Sequence, residues 1–359
     1  MTKAIEGKQP AMPDKTSTGA VPLLSILLPT HNRADVLPIA LKSIFYQTFQ
    51  DFEILLVGDG CTDNTAGVVQ SFKDSRIRWF DLPKAPNYGY ANRNIALKEA
   101  RGKYIGFMAH DDILFYDHFE KCIGALQADK SKEIACTRPL WITRDGMIIP
   151  VEFNFNNPST LDNFIMRKQN AMPASCVVHL RECFEKYGYW DDRLAGCGDW
   201  DMWARIIEGG DRKNFIFITE PTILHFIAVW KEGTIAGLRN AENWINLYKS
   251  VEDIPGVLLL KIPENKTEQM VVWEQLSKDP VKWASDIRRA VINVFDLRIV
   301  HDARHMHKLL EQNRQMNQKL NDIYRSISWK LGRGITKTVY LLFSWIPGLK
   351  GQKKPKAID

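Results

Sequence analysis

Residues 23–60 read LLSILLPTHNRADVLPIALKSIFYQTFQDFEILLVGDG, and the rhythm of this stretch decides the fold class. Leu23 to Leu28 and Phe52 to Val57 are short apolar, β-rich runs, and Ala34 to Gln47 between them has helical spacing of apolar residues. Strand, helix and strand in this order form a βαβ opening. The alternation continues with Ile77 to Phe80 as a strand, Tyr88 to Ala100 as a helix, Tyr104 to Met108 as a strand and Tyr116 to Ala128 as a helix. The expectation is an α/β fold with a mainly parallel sheet and helices on both faces. Such sheets bind ligands beyond the carboxyl ends of their strands, so function should lie in the loops that follow them.

Working outward, the regularity weakens beyond Arg138. Leu140 to Val151 reads as a hairpin turning at Asp145 and Gly146, Asn154 to Pro158 as loop, Asp199 to Glu208 as a helix and Phe215 to Phe226 as an apolar closing strand. After Trp230 the composition turns helical and charged. Ile299 to Ile327 has partial heptad spacing through Ala303, Met306, Leu310, Leu320 and Tyr324, but Asn313 and Asn317 fall on the seam. That pattern favours a helical arm packed on the body over a long dimerising coil. The chain divides on this reading into a disordered leader (1–21), an α/β domain (22–235), a C-terminal helical extension (236–327) and a basic amphipathic tail (328–359).

The bulk composition sets limits. Of 359 residues, 45% are hydrophobic, enough for a real core. A net charge of +6 suits polyanionic, phosphate-bearing or membrane-surface partners without choosing among them. Six cysteines scattered without a CxxC pair suggest neither a zinc ribbon nor a dense disulfide framework, and fit a reducing compartment. The leader lacks the apolar stretch of a secretory signal. The apolar run Val339 to Ile346 falls far short of the roughly 20 residues of a membrane-spanning helix.

Polar clusters end successive elements. The first strand runs into Pro29-Thr30-His31-Asn32-Arg33, where Thr30 or Asn32 could contact a ligand or cap the next helix. The second ends in Gly58-Asp59-Gly60-Cys61-Thr62-Asp63, which places a carboxylate where it can accept a hydrogen bond from a base N–H. An ordinary Asp-Gly turn is the alternative for Asp59, and Asp63 reads as a cap. Tyr104 to Met108 leads into Ala109-His110-Asp111-Asp112, two adjacent carboxylates that repel unless a cation sits beside them. Mg²⁺ or Mn²⁺, which take one or two carboxylates and leave places for a diphosphate, answers that, an acidic helix cap being the alternative. In Gly196 to Arg205, GCGDWDMWAR, Asp199 starts a helix, and Asp201 points in a different direction, so the two share no task. His225 and Lys231 follow the last strand and are candidates for a metal or diphosphate, although a histidine in an apolar run also reads as a buried structural residue. His31 and His110 are weaker candidates.

SILLPTHNR (25–33), YQTFQDFEILLVGDGCTD (46–63), NRNIALKEARGKYIGFMAHDD (92–112) and GDWDMWARI (198–206) stand in the order and spacing of family 2 glycosyltransferases, which the sequence resembles over about residues 22 to 230. The resemblance implies a Rossmann-like GT-A fold and makes residues 22–235 its catalytic domain. It implies that Thr30 and Asp59 hold the nucleobase and ribose, with Pro29, Asn32 and Arg33 in the same nucleotide-sugar-binding segment. Arg93 then lies near the donor, Asp111 contacts the ribose, Asp112 ligates a divalent metal with His225 as a further candidate, and Asp199 is the base of an inverting transfer. The implied cofactor is Mn²⁺ or Mg²⁺. The implied donor is a nucleoside-diphosphate sugar, and the acceptor a glycan or lipid-linked glycan of bacterial-type surface polysaccharide assembly.

Two departures stand out: many members carry an acidic pair where this chain has Gly58-Asp59, and a DxD run where it has Ala109-His110-Asp111-Asp112. No QxxRW-like motif of processive synthases occurs, which favours single-sugar addition. In the tail, Arg325, Lys330, Arg333, Lys337, Lys350, Lys353, Lys354 and Lys356 among aromatic and aliphatic residues suggest peripheral attachment to the cytoplasmic face of the membrane, a basic helix packed on the body with a solvated end being the alternative. The rival readings are a degenerate domain that binds nucleotide sugar or acts as a scaffold, and a nucleotidyltransferase, for which PTHNR is the wrong phosphate loop. Nucleic acid is not an expected partner.

Overall fold

The computed structural model describes residues 21–331 except 152, 171, 228–236 and 252. Almost all of the proposed leader, Trp230, Lys231 and most of the basic tail thus lie outside the described residues. The elements are β1 (Leu24–Thr30), α1 (Leu37–Phe45), β2 (Phe52–Asp59), α2 (Thr65–Ser71), β3 (Ile77–Leu82), α3 (Tyr90–Lys98), β4 (Tyr104–Phe107), β5 (Ile113–Leu114), α4 (His118–Ala128), β6 (Ile134–Ile142), β7 (Ile148–Pro150), α5 (Pro158–Ile165), β8 (Val177–Leu180), α6 (Cys183–Tyr187), α7 (Gly198–Gly209), β9 (Phe215–Phe226), α8 (Gly237–Ser250), α9 (Glu268–Leu276) and α10 (Pro280–Leu331).

One sheet carries them in the order β3-β2-β1-β4-β8-β6-β9-β5, with β7 paired to β6. The βαβ reading holds: β1 is parallel to β2 and to β4, and β2 to β3. Ile26, Leu27 and Leu28 of β1 and Ile54 to Val57 of β2 are all 0% exposed. Strands buried on both faces read as continuous apolar runs, which is why they were legible. The far half is mixed: β8 enters antiparallel between β4 and β6, whereas β9 runs parallel to β6 and antiparallel to β5. The hairpin at Asp145 and Gly146 is β6–β7, and Gly146 at φ +83° takes the left-handed turn position.

The first compact unit ends at Val294. Within it, the start of α10 buries Trp283, Ile287, Val291 and Val294, and Arg288 grips both oxygens of buried Asp117 at 2.9 and 2.7 Å. The second unit, from Phe295, continues α10 as a helix through the heptad-bearing segment. All six cysteines are free thiols. Among the described residues no helix is long and apolar enough to cross a membrane.

Candidate active site

The sequence-predicted residues gather at the carboxyl ends of β1, β2 and β4, joined by the start of α7 and the end of β9. The β1 and β2 ends are laced together. Asn32, at φ +51°, accepts from the Thr62 and Asp63 amides at 2.7 and 3.3 Å, and the Arg33 amide donates to Thr65 Oγ1 at 3.2 Å. Neither Thr30 nor Asn32 caps α1, whose N-cap is Val36 with no side-chain bond. Asp63, read as a cap, stands one residue before the N-cap of α2, Asn64, and accepts from the Thr65 amide at 3.0 Å. The Pro29 carbonyl accepts from His110 Nδ1 at 3.2 Å, and the Asp59 carbonyl from His31 Nδ1 at 2.7 Å. Thr30 is 3% exposed, yet its hydroxyl is buried without a hydrogen-bond partner among the described residues.

Asp59 is held from three sides, by the Ala85 amide at 2.8 Å, Asn92 Nδ2 at 2.7 Å and Lys84 Nζ. Burial pushes its carboxyl up, but these donors and the lysine charge outweigh burial and hold it below the usual range. Gly89, at φ +74°, lets the backbone close over this carboxylate, since a Cβ there would stand 2.6 Å from Oδ2. Gly58 has a packing cause as well: a Cβ would stand 2.3 Å from the Trp79 ring. An acidic residue at that position would require Trp79 to move, which accounts for the departure from an acidic pair.

The two carboxylates after β4 have different surroundings. Asp112 is 0% exposed, accepting from Ser175 Oγ at 2.5 Å and from His225 Nδ1 at 2.8 Å. Ser175 Oγ in turn accepts from the Ala109 amide at 3.0 Å. Because a carboxylate only accepts, His225 carries a proton on Nδ1, and in its neutral form the ring has its lone pair on Nε2. Asp111, 9% exposed, accepts no hydrogen bond and makes no ion pair among the described residues. An ionised carboxylate in that position is costly unless a ligand or cation completes it. The donor set therefore fits a divalent cation that shares its coordination with a diphosphate: Asp111 is open, and Asp112 fixes the His225 ring. No ready-made group of three ligands occurs among the described residues.

Asp199 lies in the first turn of α7, and Arg93 NH1 meets its Oδ1 at 3.3 Å. The guanidinium lies 4.9 Å from the Tyr90 ring centre and 5.2 Å from that of Trp190, and also donates to the Tyr88 carbonyl at 3.3 Å. Tyr90 sets the start of α7: its hydroxyl accepts the Gly198 amide at 2.9 Å, and a Cβ on Gly198 would stand 2.6 Å from the ring. Burial, and then the charge of Asp199, push the Tyr90 phenol up. Asp201 is tied elsewhere, to Arg205 at 2.8 Å and Arg167 at 3.3 Å, as its offset on the helix required. Sequence reasoning missed Ser175, Lys84, Asn92 and the Tyr90–Trp190 pair. Of these, only Asn92 lay inside a quoted motif.

Residues 25–188 match the family described as Glycosyl transferase family 2. Similar curated proteins include a hyaluronan synthase of Pasteurella multocida, 29% identical over 208 residues, 57% of this chain and 21% of that protein. A chondroitin synthase of Escherichia coli is 28% identical over 209 residues, 57% of this chain and 29% of that one. The uncharacterized glycosyltransferase RP339 of Rickettsia prowazekii is 26% identical over 256 residues, 70% and 75% of the two chains. The chain thus spans under a third of the length of the two synthases. Among solved structures, Staphylococcus aureus TarS 1-349 in complex with UDP-GlcNAc has a TM-score of 0.47 at 13% identity, covering 76% of this chain and 91% of that one. The mannosyltransferase PcManGT of Pyrobaculum calidifontis, in complex with GDP-Man and Mn²⁺, has a TM-score of 0.45 at 16% identity, covering 88% and 89%. Residues 25–188, from β1 through the end of α6, thus carry the sequence pattern of glycosyltransferase family 2, with its motifs at the strand ends where a ligand would sit.

Proposed function

We propose that this protein transfers a single sugar from a nucleoside-diphosphate donor to a hydroxyl of a glycan or lipid-linked glycan, with inversion at the anomeric carbon. The observation that carries the reading is Asp111: a nearly buried carboxylate with no hydrogen-bond or ion-pair partner among the described residues, on the sheet edge where the family's donor motifs converge. The base and ribose belong between Thr30, whose hydroxyl awaits a partner, and Asp59, with Pro29, Asn32 and Arg33 shaping that wall. Asp111 meets the donor. Asp112 and His225 hold the cation side, Asp112 by fixing the ring that offers Nε2. A bound Mn²⁺ or Mg²⁺ would offset the charge that builds on the departing diphosphate.

Asp199 accepts the acceptor's hydroxyl proton as that oxygen attacks the anomeric carbon, and the nucleoside diphosphate leaves from the opposite face. A carboxylate suffices as the base, because the hydroxyl becomes acidic only as the new bond forms. Arg93, braced between Tyr90 and Trp190, positions that carboxylate. Residues 22–235 act as the catalytic domain and 236–327 as its helical extension. The tail from 328 attaches the enzyme peripherally to the cytoplasmic face of a membrane, where lipid-linked acceptors reside. Nucleoside-diphosphate release from a panel of nucleotide sugars, with Mn²⁺, Mg²⁺ or chelator, tests the reading. Release with one donor that chelator abolishes is expected; no release with any donor sinks it, and metal-independent release sinks the role of the cation.

A further inference from the structure

A cavity of about 520 Å³ opens at the opposite end of the sheet, by the amino ends of β1 and β4 and the carboxyl end of β8. The seven residues of β1 separate it from the donor edge by about 20 Å, so it cannot be an annexe of that site. Three loops converge on it. Arg101 and Lys103 come from the α3–β4 connection, Lys130 and Lys132 from the α4–β6 connection, and Arg181 from the end of β8, against Asp51 and Glu182. Tyr104, Leu126 and Leu180 supply apolar wall.

The charges do not cancel locally. Arg101 is matched by Glu53 at 2.7 Å, and Lys132 donates to the Lys213 carbonyl at 2.7 Å with Asp129 at 3.9 Å. Glu182 turns to Lys186 at 3.1 Å. Lys103, Lys130 and Arg181 have no carboxylate at ion-pair distance among the described residues. The Arg181 fork is nonetheless anchored, its Nε donating to the Gly102 carbonyl at 2.9 Å, which leaves its two terminal nitrogens as donors. Unneutralised cations held around one concavity repel each other, and a multiply charged oxyanion relieves that repulsion while using both the arginine fork and the lysine point charges.

We propose that this cavity binds a phosphate-bearing group of two or more negative charges, either a soluble phosphate compound or an anionic lipid headgroup. The test combines lysine acetylation footprinting, with pyrophosphate as the probe, and flotation on phosphatidic acid vesicles against phosphatidylcholine vesicles. Pyrophosphate should protect Lys103 and Lys130 saturably and leave Lys73 unchanged, and this should persist in Asp111→Asn, which separates the cavity from the donor edge. In Lys103→Glu/Lys130→Glu, protection of the remaining Lys132 should need at least tenfold more pyrophosphate, with the melting temperature as the folding control and the alanine pair as substitute if the charge reversal unfolds. Saturable protection with flotation unchanged by the double variant assigns the site to a soluble phosphate. Flotation on anionic vesicles that falls at least tenfold in the double variant assigns it to a headgroup. Equal acetylation of Lys103, Lys130 and Lys73 at every pyrophosphate concentration, with flotation unchanged by the double variant, overturns the proposal.

Discussion

At the amino ends of the parallel strands, Glu53 is 1% exposed and fully supplied with donors. Ser25 Oγ at 2.7 Å and the Arg101 amide at 2.9 Å reach one oxygen, and Arg101 Nε at 2.8 Å and Arg78 NH1 at 3.1 Å the other. At the carboxyl ends, Asp111 is 9% exposed with no such donors among the described residues, and the Thr30 hydroxyl is buried alone. The same strands thus end in polar atoms that are satisfied internally on one edge and left open on the other. Internal satisfaction contributes stability, and an open polar atom costs stability until a ligand completes it. Substitutions at the two edges should therefore move stability and function in opposite directions.

The largest expected effect is on function. Asp199→Asn should lower transfer about 10³-fold, with donor affinity nearly unchanged by calorimetry; parallel loss of both would place Asp199 in donor binding instead. On the satisfied edge, Glu53→Gln should cost about 3 kcal/mol in urea unfolding, since it breaks a buried charge network. Burial pushes the Glu53 carboxyl up, but its bonds to Arg101, Ser25 and Arg78 prevail and hold it below the usual range. A depressed folded-state pKa gives stabilisation that is present above the unfolded value, about 4.3, and lost as pH falls through the folded one. Wild-type stability should accordingly drop more steeply below pH 5 than that of Glu53→Gln; parallel curves would deny Glu53 this role.

The smallest expected effects make the sharpest contrast. Ser25→Ala removes a donor to Glu53 and the acceptor of the Gly102 amide, at 2.8 Å, and should cost about 1–2 kcal/mol. Thr30→Val, nearly isosteric, removes a hydroxyl that has no partner and should leave the melting temperature unchanged or raise it while weakening nucleotide binding. Equal destabilisation by the two substitutions would erase the distinction between the edges.

What the sequence revealed follows the same physics. β1, β2 and β4 announced themselves as predominantly apolar runs, and the apolar run Phe215–Phe226 is β9 end to end. The short elements α2, α5 and α6 were not legible. Pro158, read as the end of a loop, instead opens α5 behind the cap of Asn157, which accepts from the Ser159 amide at 3.0 Å. β8 was missed because Val177 to Leu180 is too short for periodicity to show, and its pairing with β4 joins residues more than 70 apart in sequence. The acidic positions of the site were visible from residue type and place. Their partners were not: Ser175 reaches Asp112 across 63 residues, and Trp190 braces Arg93 from a loop with no motif of its own.

The most direct test of the open edge is a calorimetric titration of wild type and Asp111→Asn with uridine and guanosine diphosphates in the presence of Mn²⁺, with melting temperatures recorded in parallel. Wild type should bind one of the diphosphates, and Asp111→Asn should bind it at least about tenfold more weakly, a loss near 1.4 kcal/mol, while melting at the same or a higher temperature. Equal affinity in the two proteins, or an Asp111→Asn protein that loses binding only because it has lost stability, would show that the unpartnered carboxylate is not where the donor is held.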